Sequence, residues 1–189
     1  MIKEMVLTLL LSLSPWHEDI NEENEARKAR LGLISDSQVE VADKLTCGGQ
    51  YGVPRCVVVF AGTRNELLSL LITAGWWETR YSARIHAGDC KEDECDGGAA
   101  RGVYQVQQNG FVPKELWEKS LGDTPEATYA ATMAAALSFS QAWKACHARH
   151  GMRGVWSAYG RGKCVSSYRT LTSRVRWSKR QLLAISSSE

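Results

Sequence analysis

Along most of this chain apolar residues return every three or four positions, the spacing of one face of an α-helix. The pattern is clearest where Thr63 and Glu66 form a capping box. Leu67, Leu68, Leu71, Ile72 and Ala74 then make a helix face that runs into Trp76, Trp77 and Glu78. Another capping box, Ser35 with Gln38, opens a shorter stripe of Val39, Ala42 and Leu45 that ends before Cys47 and Gly48. Upstream of it, residues 22–31 read as an exposed peripheral helix, with Glu23 one turn from Arg27 and little apolar periodicity.

In the second half, Pro113 fits the first turn of a short helix closing near Gly122, and Asp123, Pro125 and Glu126 announce a long Ala-rich one. Tyr129, Met133, Leu137 or Ala136, Trp143 and Cys146 give that helix its buried stripe, and Gly151 stops it. A brief segment follows at 155–159, and Tyr168, Leu171, Val175 and Leu182 mark a basic final helix. Residues 89–98, acidic and glycine-containing, read as a closed loop or short hairpin. The expected class is mainly α, with at most a small β-hairpin.

With 189 residues, 44% of them apolar and 23% charged, the chain suits one globular domain plus an N-terminal extension. The apolar stretch at 6–13 is too short to span a bilayer. It reads equally as a secretory signal within residues 1–14 or as a buried or amphipathic helix: Lys3, Ser12 and Ser14 favour the signal, Glu4 and Pro15 the helix.

Six cysteines change the picture by compartment. Cys47 with Cys56, Cys90 with Cys95, and Cys146 with Cys164 are neighbours in sequence, as expected when short loops are stapled where disulfides persist. Six cysteines permit about 15 pairings, and proximity selects this one. An extracytoplasmic setting follows: periplasmic, secreted or part of a phage particle. The rival is a metal, since His86 lies near Cys90 and Cys95, and His147 and His150 near Cys146; no CxxC pair or HExxH helix is present, so no metal is assigned.

Charge is unevenly spread. The net value is only +2, yet residues 127–188 hold ten Lys and Arg and no Asp or Glu. Such a basic third suits anionic envelope polymers or nucleic acid, although no aromatic-interleaved recognition motif supports the latter. A plain solvated surface is the alternative.

For chemistry, Glu78 stands out. A carboxyl at the end of the helix opening near Thr63 meets the negative end of the helix dipole, which disfavours ionisation, and Trp76, Trp77 and Tyr81 add desolvation. Ala74 and Gly75, one turn back, leave room beside it for a sugar ring. Glycoside cleavage needs such an acid to protonate the departing oxygen. Against this stands a surface Glu paired with Arg80 or Arg84.

The segments TAGWWETRYSARIHAG, GGAARGVYQVQ and GVWSAYGRGKC resemble the three ordered motifs of the lysozyme-like superfamily, particularly its soluble lytic transglycosylases and goose-type lysozymes. The resemblance covers residues 65–183. It implies a disulfide-stapled, lysozyme-like catalytic domain at 61–189 behind an N-terminal helical extension at 1–60. It further implies Glu78 as the catalytic acid, Thr79 in the place of the family's serine, Tyr104 and Gln105 in the cleft-lining element, and Tyr159 as the hydroxyl facing the acid. Tyr104 stands where Met is usual, and Gly160 and Arg161 replace Asn and a small residue; these departures bear on substrate fit more than on the acid.

The implied activity is cleavage of the β-1,4 bond between N-acetylmuramic acid and N-acetylglucosamine in peptidoglycan strands, without a cofactor. The motif set leans to a lytic transglycosylase, in which Glu78 returns as base. A hydrolytic lysozyme would add a second carboxylate, about 5 Å away if retaining or about 6.5–9.5 Å if inverting. Asp89, Asp93 and Asp96 are the candidates. A non-catalytic peptidoglycan-binding or structural protein of an envelope or phage particle is the remaining alternative.

Overall fold

A computed structural model describes residues 2–13, 24–46, 59–90 and 95–187. In chain order these form α1 (Ile2–Leu13), α2 (Asn24–Thr46), α3 (Arg64–Thr79), α4 (Ala83–Ala87), a 3-10 turn (Cys95–Gly98), β1 (Ala100–Arg101), β2 (Val106–Gln107), α5 (Lys114–Glu118), α6 (Pro125–Arg161) and α7 (Leu171–Ser186). The molecule is mainly helical, with one two-stranded antiparallel sheet.

Helix α3 begins at the expected capping box. The Thr63 hydroxyl accepts from the Glu66 N–H, and the Glu66 carboxylate accepts from the Thr63 N–H at 2.7 Å. Residues 67–75 are buried on every side, because α3 packs against α2, α6 and α7. That is wider than the single apolar face legible in the sequence.

The capping signal at Ser35 is overridden. Helix α2 runs unbroken through it, Ser35 is buried, and its hydroxyl donates to the Lys3 carbonyl at 2.9 Å. Packing of Leu31, Ile34, Val39 and Val41 outweighs one local cap, so residues 24–31 of the predicted exposed helix and the stripe after Ser35 are parts of one element, while Glu23 lies outside the described residues. Val6 and Leu10 of α1 join the same hydrophobic core as Leu71 of α3 and Trp156 of α6.

Helix α6 opens on Thr124 as N-cap with Pro125 following, as expected. Gly151, at φ 56° and ψ −157°, breaks the helical path where a side chain would be strained. The helix resumes at once, so the segment at 155–159 is its continuation. Nearly every residue from Ala127 to Ala136 is buried, since α6 is contacted by α2, α3, α5, α7 and β2.

The hairpin lies just downstream of the loop at 89–98. Ala100 pairs with Gln107 and Arg101 with Val106, while Asp96, Gly97 and Gly98 all hold positive φ and are too curled to pair. Cys90–Cys95 and Cys146–Cys164 are bonded as sequence proximity implies; Cys47, Cys56 and Asp93 lie outside the described residues. Among the described residues no helix is long and apolar enough to cross a membrane.

Helix α4 buries His86 completely; its Nε2 lies 3.0 Å from the Thr128 hydroxyl, and its Nδ1 has no partner. Burial, reinforced by the Arg30 charge, pushes the imidazole down to about 4. The native state therefore excludes a proton that the unfolded chain binds below about pH 6.5. Stability from this group is complete above that value and is lost as pH falls toward about 4. Between about pH 7 and about pH 4.5 the loss is expected to be about 2.5 kcal/mol, read as a drop in urea midpoint that His86→Gln removes.

Candidate active site

Glu78 sits in the last turn of α3, next to the final helical residue Thr79. The chain leaves the helix through Arg80 and Tyr81, both in the left-handed region at φ 56° and 61°. Tyr81 folds back, its hydroxyl donating to the Ile72 carbonyl at 2.6 Å. A Cβ on Gly75 would lie 2.3 Å from the Tyr81 ring. The space that Ala74 and Gly75 were expected to leave for a sugar is thus filled by Tyr81.

The carboxylate is ion-paired, but with neither expected partner. Arg174 of α7 donates from Nη1 to Glu78 Oε1, and the two side chains are only 13% and 21% exposed, respectively. Arg80 instead lies over the Trp76 and Trp77 rings at 4.5 and 5.1 Å, and Arg84 donates to the Asp89 carbonyl. Burial is the largest influence on Glu78 and pushes its carboxyl above the usual range; Arg174 pulls it down, and the Asp96 charge pushes it up again. The net direction is upward, toward a proton donor.

Tyr159 comes from α6 beyond the Gly151 break. Its ring stacks on Phe139 at 4.0 Å, and its hydroxyl donates to the Tyr104 carbonyl at 2.9 Å. Burial, followed by the Glu78 charge, raises its pKa well above 10, so it stays a neutral hydroxyl within the field of Glu78. Asp96 projects from the 3-10 turn and accepts from Gln107 Nε2 at 2.6 Å. Asp96, not Asp89, supplies the second negative charge acting on Glu78.

The remaining expected residues serve the frame. Thr79 is buried, its hydroxyl 2.9 Å from the Val103 carbonyl, which ties the end of α3 to the hairpin turn. Gln105 holds φ 49° in that turn and donates from Nε2 to the Gly102 carbonyl at 3.1 Å. Tyr104 is a correction: its ring is fully buried and its hydroxyl accepts from Gln38 Nε2 at 3.0 Å, so its side chain is closed to substrate. A polar seam of Gln38 and Thr132 absorbs the aromatic ring.

No family model, curated protein or solved structure matches this chain. What marks the region is its own geometry. Among the described residues, the non-glycine positions with positive φ are Arg80 and Tyr81, which follow Glu78 in the chain, Cys95 and Asp96 in the 3-10 turn, and Gln105 in the hairpin turn that Thr79 is tied to. Backbone held in sparsely populated regions costs energy and persists where the surroundings over-determine it, commonly at functional sites.

Sequence reading missed Arg174, Trp156 and Gln107. Gln107 carries no local signal. Arg174 does: three residues after Leu171 and four before Ser178, both buried, it is a cation on the inward stripe of an amphipathic helix. Trp156 lies beneath it, 5.7 Å from the guanidinium, and Trp177 stacks on Trp76 at 5.6 Å to join α7 to α3. Together these residues make a carboxyl predisposed to hold a proton, a cation opposing it, and a neutral phenol and a second carboxylate in reach of its field.

Proposed function

We propose that this chain is a glycosidase of the lysozyme-like superfamily that degrades peptidoglycan, cutting between N-acetylmuramic acid and N-acetylglucosamine with Glu78 as general acid and base. One observation carries the reading. A mostly buried carboxyl ends a buried helix that Thr79 ties to the hairpin turn holding Gln105, and the Asp96 charge and the neutral Tyr159 hydroxyl lie within its field. Protonating a glycosidic oxygen near neutrality requires an acid of this kind. The two disulfides fit an oxidising compartment, periplasmic, secreted or within a phage particle. The basic third would lie against anionic envelope polymers.

The Asp96 charge at Glu78 favours a second reading, hydrolysis with Asp96 as the assisting carboxylate, beside the lytic transglycosylase suggested by the motif set. Mass spectrometry of the muropeptides released from purified sacculi separates them: anhydro ends mark a transglycosylase, reducing ends a lysozyme. For the hydrolase, Asp96→Asn is expected to slow release about 100-fold; for the transglycosylase the rate stays within about threefold. Release of no muropeptides at all refutes both and leaves a binding protein.

A further inference from the structure

Of the ten Lys and Arg in residues 127–188, nine are exposed and Arg174 alone is not. Its guanidinium is held by the Glu78 carboxylate and by two ring faces, Trp156 at 5.7 Å and Tyr168 at 5.6 Å, and its Nε has no hydrogen-bond partner. Ring faces hold a planar cation without satisfying its N–H groups, so this side chain keeps donor capacity beyond its bond to Glu78.

We infer that Arg174 couples the acid to the charge of the substrate: it engages the Glu78 carboxyl in an ion pair until a stem-peptide carboxylate of the glycan draws the guanidinium away, making carboxylate-bearing strands better substrates than neutral N-acetylglucosamine polymers. This rests on the glycosidase reading above. The groups acting on Glu78 are Arg174 from α7 and Asp96 from the turn before β1, and the Glu78 charge in turn acts on Tyr159 from α6 and Tyr168 from the segment before α7. Arg80 lies close enough to Arg174 to feel its charge but rests on Trp76 and Trp77.

Both tyrosines are neutral, so Arg174 is the cation that balances Glu78. Once it turns away, burial and the Asp96 charge both favour the protonated carboxyl. Glu78 then takes one proton from water, and the guanidinium pairs with the incoming carboxylate. Charge stays balanced, and the acid is armed when the substrate is seated. Exposed Arg169, Arg176, Lys179 and Arg180 on and beside α7 add a positive field that draws such a strand in.

The test titrates the Glu78 side-chain carboxyl by carbon-13 NMR in the wild type, Arg174→Gln and Arg174→Lys, and compares rates on peptide-bearing glycan oligomers and on chitohexaose. In Arg174→Gln the Glu78 midpoint is expected to move to higher pH. The rate ratio between the two substrates is expected to fall about tenfold, with Lys restoring part of it. In the wild type, adding a disaccharide-peptide raises the midpoint and adding chitotriose does not. That ligand titration stands even where a variant fails to fold. An unmoved midpoint, or a ratio unchanged in folded Arg174→Gln, overturns the coupling. Midpoints that move as stated in a protein that cleaves neither substrate uphold it, and the failure then belongs to the glycosidase reading.

Discussion

Glu78→Gln is expected to lower cell-wall clearing about a thousandfold while the far-ultraviolet spectrum and binding to sacculi are retained. The magnitude follows from what the substitution removes. Gln matches Glu in shape and still offers Arg174 an acceptor, so the join between α3 and α7 is kept. It has no proton to give to a leaving oxygen. Loss of the negative charge leaves Arg174 unbalanced, but both side chains retain some exposure, so the stability cost is about 1–2 kcal/mol, below that of a fully buried pair. Turbidity loss at equal protein concentration is the measurement. Activity within a few-fold of wild type would leave the ion pair as a purely structural link between two helices.

The largest stability effect is expected at Trp156. Its side chain is fully buried, meets Phe139 edge-on at 5.1 Å, donates from Nε1 to the Ser178 hydroxyl at 2.7 Å and lies under the Arg174 guanidinium. Trp156→Ala removes packing against both α6 and α7 and opens a cavity beneath the site, costing about 4 kcal/mol. For a chain of this size that is a fall in Tm of about 12 °C by calorimetry. Clearing activity should fall as well, because Arg174 loses one of the two faces that hold it. A Tm within about 3 °C of wild type would mean that the α6–α7 seam closes over the gap.

Sequence patterning was most reliable where one element's own chemistry decides the outcome. The Thr63 and Glu66 capping box starts α3, Thr124 and Pro125 start α6, and Gly151 breaks the helix it was expected to stop. It misled where packing competes with a local signal. Ser35 reads as a helix start and lies in the middle of α2, because a continuous apolar face against α1 and α6 is worth more than one cap. Gly75 reads as open space beside an acid, and a tyrosine six residues later fills it.

By itself, then, the sequence determined the helical class, the starts of α3 and α6, the two observed disulfides and the carboxylate at the end of α3, since propensity, capping and short loops act over a few residues. The tertiary structure alone decided what that carboxylate meets. Arg174 lies 96 positions away, and Asp96, Tyr159 and Tyr168, on three other segments, lie within the field of that carboxylate. A charge acts through space and is amplified where water is excluded, so the state of Glu78 depends on which helices close over it, and no spacing along the chain encodes that.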